Sequence, residues 1–239
     1  MRRWQADRVP YLAVDTSAGL AVAVVADDGS VAARAADAQP RRHAEQLGPA
    51  VASVLETAGL APKDLTGVVV GTGPAPFTGL RAGLVTARVL GYTLGVPVLG
   101  VPSLAAVALR AFDLLDADDP DAPGHVVVVT DARRREVFWA RYARDPALGV
   151  RAVAGPGVAA PGDVAADLAS GHQAALAGRG ATLVPHPSTS ALAGLDPDPV
   201  ALVTVSLARQ AHDEPNPVEP LYLRRPDAVP PASAPRVPQ

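Results

Sequence analysis

The sequence predicts an α/β protein of two domains, and three observations carry that prediction. Short valine- and alanine-rich runs alternate with segments of helical period. An acidic, proline-rich stretch, DADDPDAPG at 116–124, interrupts the chain near its middle. Each half opens on an apolar strand that ends in aspartate, at Asp15 and Asp131. The expected units are an N-terminal domain over 1–116, a smaller C-terminal domain over 125–224, and a disordered proline-rich tail over 225–239. The chain of 239 residues is long enough to bury a proper core.

The elements follow in order. Val9 to Val14, Leu20 to Ala26 and Val31 to Ala36 are apolar runs separated by short polar breaks, which predicts a three-stranded meander. Arg42 to Ala58 reads as a helix, with Leu47, Val51, Val54, Leu55 and Ala58 on one buried face. Gly59 and Leu60 are suited to a Schellman ending, while Pro49 is a misfit unless the first turn is irregular or kinked. Val68 to Val70 predicts a short buried strand, followed by a glycine–proline loop and a second helix capped by Thr78. Val96 to Val101 predicts another strand, and Ser103 is expected to cap a helix reaching about Leu115. Beyond the acidic break, His125 to Thr130 and Glu136 to Tyr142 predict a hairpin. The stretch from Gly149 to Pro199 holds only short candidates, and Val200 to Ala211 reads as helical.

Composition narrows the function. A formal net charge of −3 leaves no broad basic surface for gripping nucleic acid unaided. With no cysteine there is neither a disulfide framework nor a thiolate zinc site, and the five histidines are scattered, with no pair at i, i+4. The first residues lack a signal-peptide core. The apolar window from Gly79 to Val101 is broken by Arg81, Arg88 and Pro97, so a cytoplasmic chain without a membrane span is expected.

The loop after Val70 has the outline of a phosphate-binding loop but not its residues. No lysine follows Gly73, so the P-loop pattern fails, and Pro76 stands where the dinucleotide fingerprint needs a third glycine or alanine. Proline also removes backbone donors that would cradle a phosphate. In the helix that follows, Gly79, Gly83, Ala87, Gly91 and Gly95 recur every four residues. Glycine inside a helix costs about 1 kcal/mol relative to alanine, so the ridge needs a close approach to justify it. It either packs on the chain's own sheet and first helix, or it meets a partner subunit.

Together these residues resemble the TsaB (YeaZ) family. The resemblance rests on Asp15-Thr16-Ser17, His43-Ala44-Glu45, AGLAPKDLTGVVVGTGPAPFTGLRAG, GVPSLAAVA, TDARRREVFWA and EPLYLRR, in that order. The loop is the most specific piece, with Ala75 and Pro76 standing where the family's G-x-G-P-G-S-F-T-G-L-R-I-G has glycine and serine. The resemblance implies an actin-like, hexokinase-like (ASKHA, RNase H-like) fold with two related domains. It implies a role in making threonylcarbamoyladenosine in tRNA, as an accessory subunit rather than the catalyst. The implied partners are TsaD, which binds the metal and transfers the threonylcarbamoyl group, and the ATPase TsaE. The resemblance also implies that the chain can form a homodimer on its own and that tRNA is met only through the complex. ATP, Mg and the metal then belong to the partner subunits, and the isolated chain carries no cofactor.

The same resemblance places the partner interface on the first two helices, with His43, Gln46, Phe77, Gly79, Gly83, Ala87 and Gly91 as candidate contacts. An arginine at Gly83 is then expected to block association and leave the monomer soluble. The catalytic paralogue's His-x-x-x-His pair falls on Ser103-Leu104-Ala105-Ala106-Val107, where neither end is histidine. Asp15, Thr16, Ser17 and Asp131 are weak nucleotide-site candidates, since a strand-end aspartate serves the Mg-phosphate site of actin-like ATPases and also forms turns on its own. The Arg133-Arg134-Arg135 run either touches tRNA phosphate or is a solvated turn. A peptidase and an active kinase of the same fold stand as alternatives. The first lacks metal ligands at suitable spacing and a G-x-S-x-G elbow, and the second has only Gly178-Arg179-Gly180 as a weak adenosine loop.

Overall fold

The structure, a computed structural model, describes residues 8–37, 43–118, 123–170, 174–186 and 190–224. The expected tail and the centre of the acidic break lie outside the described residues. Strands β1 (Pro10–Asp15), β2 (Leu20–Ala26) and β3 (Val31–Asp37) form the antiparallel meander. Helix α1 (His43–Ala58) leads to β4 (Gly67–Gly71), which pairs parallel with β1. Helix α2 (Phe77–Leu94) leads to β5 (Val98–Val101), parallel to β4, so the first sheet has the order β3-β2-β1-β4-β5. Helix α3 (Ser103–Asp118) crosses to the second sheet.

The second half repeats the plan. Strands β6 (His125–Arg133), β7 (Glu136–Asp145) and β8 (Gly149–Ala159) form a second antiparallel meander. Helix α4 (Pro161–Ala169) then returns the chain to β9 (Ala174–Ala177), parallel to β6, and the order is β8-β7-β6-β9. Short α5 (Ser190–Ala193) and α6 (Pro199–Ala211) follow. Two halves with the same sequence of strand directions make this the actin-like arrangement. The long β8 was not legible in the sequence because Gly155, Pro156 and Gly157 break its period. An edge strand with register shifts against β7 accepts them.

Alternation along each strand sets the packing. Leu12, Val14, Val22 and Val24 face Leu47, Val51, Val54 and Leu55 of α1. Val68 and Val70 face Leu80, Leu84 and Ala87 of α2. The opposite face, with Ala13, Ala23 and Val69, joins Val126, Val128 and Ala140 of the second sheet through α3 and α6, which lie between the sheets. Each fully buried leucine or valine contributes about 1.5–3 kcal/mol.

The end of α1 is the Schellman motif its sequence predicts: Gly59 at φ +70 and Leu60 donate to the carbonyls of Glu56 and Leu55. Pro49 lies inside α1 on an exposed position. Two expected caps are corrected. The N-cap of α2 is Pro76 at φ −58, already shaped for helix entry, and Thr78 is the second residue of the helix. Ser103 is the first residue of α3, and its hydroxyl serves a buried carboxylate instead of the helix amides.

Candidate functional site

Asp15 ends β1 at the junction of three elements and is 2% exposed. Its Oδ1 accepts from the Ser17 amide at 2.7 Å and the Ser17 hydroxyl at 2.6 Å, the Asx turn expected of a strand-end aspartate. Its Oδ2 accepts from Ser103 Oγ at 2.6 Å, while that same oxygen accepts from the Gly73 amide at 3.1 Å. A Cβ on Gly71 would stand 1.8 Å from Asp15 Oδ2, so glycine is required in β4 for the carboxylate to fit. Thr16 Oγ1 donates to the Gly79 carbonyl at 2.9 Å and ties β1 to the first turn of α2. The Asp-Thr-Ser triplet is thus committed to joining β1, the loop and α3. The segment 103–107, where the resemblance sets the paralogue's histidines, is buried from end to end, and no group of His, Cys, Asp or Glu among the described residues could hold a metal ion.

Burial pushes the Asp15 carboxyl above its ordinary value, against the hydrogen bonds from Ser103 and Ser17 that pull it down. A carboxyl raised in the folded state stabilises fully below its unfolded pKa, about 3.9, and that contribution is lost as pH rises through the folded value. The wild-type chain should therefore lose part of its stability between acidic and neutral pH. Asp15→Asn should flatten that slope, read from urea midpoints at several pH values. An identical slope in the variant would assign the pH dependence elsewhere.

Between the halves lies a cleft of about 420 Å³, lined by Ser17, Thr78, Thr130, Asp131, Arg133 and Arg179 among others. Asp131 repeats the Asx turn of Asp15, accepting from the Arg133 amide at 2.7 Å, but it is exposed and pairs with the Arg133 guanidinium at 3.2 Å. Arg179, between Gly178 and Gly180, is bonded to Asp196 at 2.6 Å. Gly180 packs on the backbone of Thr130, where a Cβ would stand 2.8 Å from its nitrogen. The weak nucleotide candidates are thus split: Thr16, Ser17 and Asp131 line one cleft, while Asp15, almost fully buried, lines a neighbouring recess.

The glycine ridge packs on the chain's own first sheet. A Cβ on Gly83 would meet Thr16 Oγ1 at 2.4 Å, and one on Gly91 would meet Val98 Cγ2 at 2.1 Å. Ala87 is fully buried against β4. These three are buried within the chain itself, and the ridge lets α2 lie close on β1, β4 and β5. Gly79 is half-buried, and Phe77 is half-buried against Tyr222. On α1, Gln46 is half-buried with an unpaired, buried Oε1 among the described residues, and the side chain of His43 lies outside them. What faces outward on α2 is the opposite stripe, Val85 at 59%, Val89 at 57% and Tyr92 at 93% exposed. It recurs at i, i+4, i+7, a signal present in the sequence and hidden by the more conspicuous glycines.

The segment after α6 is a strap. The Gly100 amide donates to the Asn216 carbonyl at 3.0 Å, and the Leu221 amide to that of Thr72 at 2.9 Å. Arg88 of α2 donates to the Val218 carbonyl at 2.8 Å. Tyr222 stacks on Phe77 with ring centroids 4.6 Å apart, and Arg81 Nε donates to its hydroxyl at 2.8 Å. Arg224 pairs with Glu136 in the second half. Tyr222→Ala should lower stability by about 1–2 kcal/mol and speed proteolysis of the strap. Unchanged urea midpoints and cleavage rates would show that the stack holds nothing.

A family model described as TsaD, tRNA N6-adenosine threonylcarbamoyltransferase, matches residues 31–214. An uncharacterized protein of Mycobacterium tuberculosis is 44% identical over 190 residues, which are 80% of this chain and 79% of that protein. The tRNA threonylcarbamoyladenosine biosynthesis protein TsaB of Escherichia coli is 34% identical over 134 residues, 56% of this chain and 55% of that one. The structure of YeaZ from Pseudomonas aeruginosa matches at a TM-score of 0.72 and 26% identity, covering 90% of this chain and 100% of that one.

Proposed function

This chain belongs to the TsaB (YeaZ) family, and we propose that it serves tRNA threonylcarbamoyladenosine synthesis as a non-catalytic subunit that pairs with a TsaD-type transferase. The observation that carries the pairing is the exposed stripe Val85, Val89 and Tyr92 on α2. Three apolar side chains on one helix face, exposed by more than half each, make a surface that gains by being covered. α1 packs beside α2 and broadens that face.

The accessory role draws support from Ser103 and Asp15. The first turn of α3 is spent on holding β1 and the loop together, which fits a structural subunit better than a catalytic one. The chemistry, with its metal, ATP and Mg, then lies in the partner subunits, and this chain shapes or steadies the transferase through α1 and α2.

Reconstitution tests the reading. tRNA, threonine, bicarbonate, ATP, the adenylate-forming enzyme, TsaD and TsaE are combined with and without this chain, and the modified nucleoside is quantified. The expected result is modification that depends on the chain, with no ATP turnover by the chain alone. Equal modification without it would end the proposal.

A further inference from the structure

The outward face of α2 carries charge as well as apolar side chains. Arg81 and Arg88 are exposed there with Val85, Val89 and Tyr92, at i, i+4, i+7, i+8 and i+11 along the helix. No aspartate or glutamate lies anywhere in Phe77–Leu94. On α1, which packs beside it, the exposed charges have the other sign, Glu45 and Glu56. The strap holds both arginines, and it does so with neutral acceptors. Arg88 Nη2 donates to the Val218 carbonyl at 2.8 Å, and Arg81 Nε donates to the Tyr222 hydroxyl at 2.8 Å. The Arg81 guanidinium also lies 5.3 Å from the Phe77 ring centroid and 5.5 Å from that of Tyr222. Neither arginine makes an ion pair among the described residues. The strap itself is closely seated: a Cβ on Gly100 would stand 2.0 Å from the Pro217 carbonyl oxygen, and Val218 packs against the α2 cluster. It therefore fixes where the two guanidinium groups stand without cancelling their charge.

We infer that the partner's docking face is acidic where it meets α2, with carboxylates on Arg81 and Arg88 around an apolar centre that covers Val85, Val89 and Tyr92. The inference rests on the pairing proposed above and names the chemistry of the partner's surface. A guanidinium has several N–H donors in a rigid fork, so one bond to the strap leaves others to receive a carboxylate. Holding a long side chain in place beforehand lowers the ordering cost of meeting a partner. Glu45 and Glu56 on the neighbouring helix repel the same carboxylates, so the charge pattern decides which helix the acidic segment lies along. A wholly apolar or basic partner face would instead cover two guanidinium groups without a counter-charge, which is costly.

Association and dissociation rates with the purified TsaD-type subunit, measured on the full chain at several ionic strengths, test it. Wild-type association should be about tenfold faster at low salt than at physiological salt. Arg81→Gln with Arg88→Gln, which keeps donors for the strap and removes the charge, should slow low-salt association about tenfold and flatten the salt dependence. Glu45→Gln with Glu56→Gln should not slow it. Tyr222→Phe keeps the ring stack and loses the hydroxyl that holds Arg81. It should leave the association rate and its salt dependence alone and speed dissociation about threefold. Salt-insensitive association of the wild-type chain, a wild-type rate in the arginine variant, or slower association in the glutamate variant would each overturn the inference. An unchanged dissociation rate in Tyr222→Phe would overturn the positioning role of the strap. The wild-type salt dependence and the glutamate variant give their answer without disturbing the strap. In all of these outcomes the chain still binds and the pairing reading stands, whereas no association by the wild-type chain would sink that reading and this inference with it.

Discussion

Gly83→Arg is expected to prevent folding. The missing side chain of Gly83 is filled by Thr16, whose Oγ1 would lie 2.4 Å from any Cβ there. Thr16 cannot move away without giving up its bond to the Gly79 carbonyl and disturbing the turn that holds Asp15. Overpacking of this kind costs about 1–3 kcal/mol for added methylenes alone, and a guanidinium buried without a partner adds several more. Against a total stability of roughly 5–15 kcal/mol, that is enough to empty the folded state. Soluble yield and far-UV circular dichroism read the outcome. A folded, soluble Gly83→Arg chain would return the ridge to the surface, as the sequence alone had it. Gly83→Ala with Thr16→Gly should recover stability that Gly83→Ala loses, a coupling that a double-mutant cycle measures.

Val85→Asp combined with Val89→Asp should have the opposite profile. Both positions are more than half exposed, so folding stability should move by no more than about 0.5 kcal/mol each. If the stripe is the pairing surface, two carboxylates buried there should weaken association with the TsaD-type subunit at least about a hundredfold. Calorimetric titration of the purified subunits gives the affinity, and sedimentation of the chain alone shows whether self-association falls with it. Wild-type affinity in the double variant would place the partner elsewhere. Read together, the two experiments divide one helix into a packing face and a docking face.

Much of the architecture was legible from residue order because it depends on local patterns. Short apolar runs predicted β1, β2, β3 and β4, and Leu47 to Ala58 kept a helical stripe that tertiary packing reinforced. Gly59 stopped its helix in a left-handed conformation, as glycine after an apolar stripe predicts, and Gly95, read in the sequence only as part of the ridge, does the same for α2. Asp15 at the end of β1 and Asp131, two residues before the end of β6, mark the two halves, and both form the Asx turn.

What the sequence did not settle depended on which groups meet across the chain. A ridge of small residues looks the same whether it faces a partner or its own sheet, and only the position of Thr16 and Val98 decided between them. Ser103 and Thr78 carry good capping chemistry, yet a buried carboxylate 88 positions away claimed the first, and a proline of suitable φ began the helix before the second. Tyr222 meets Phe77 from the far end of the second half of the chain, which no spacing rule reaches. Composition and period determine the strands, the helices and their ends, because those are short-range energies. The orientation of α2, the isolation of Asp15 and the aromatic stack arise from long-range packing, where the side chain opposite decides what each residue does.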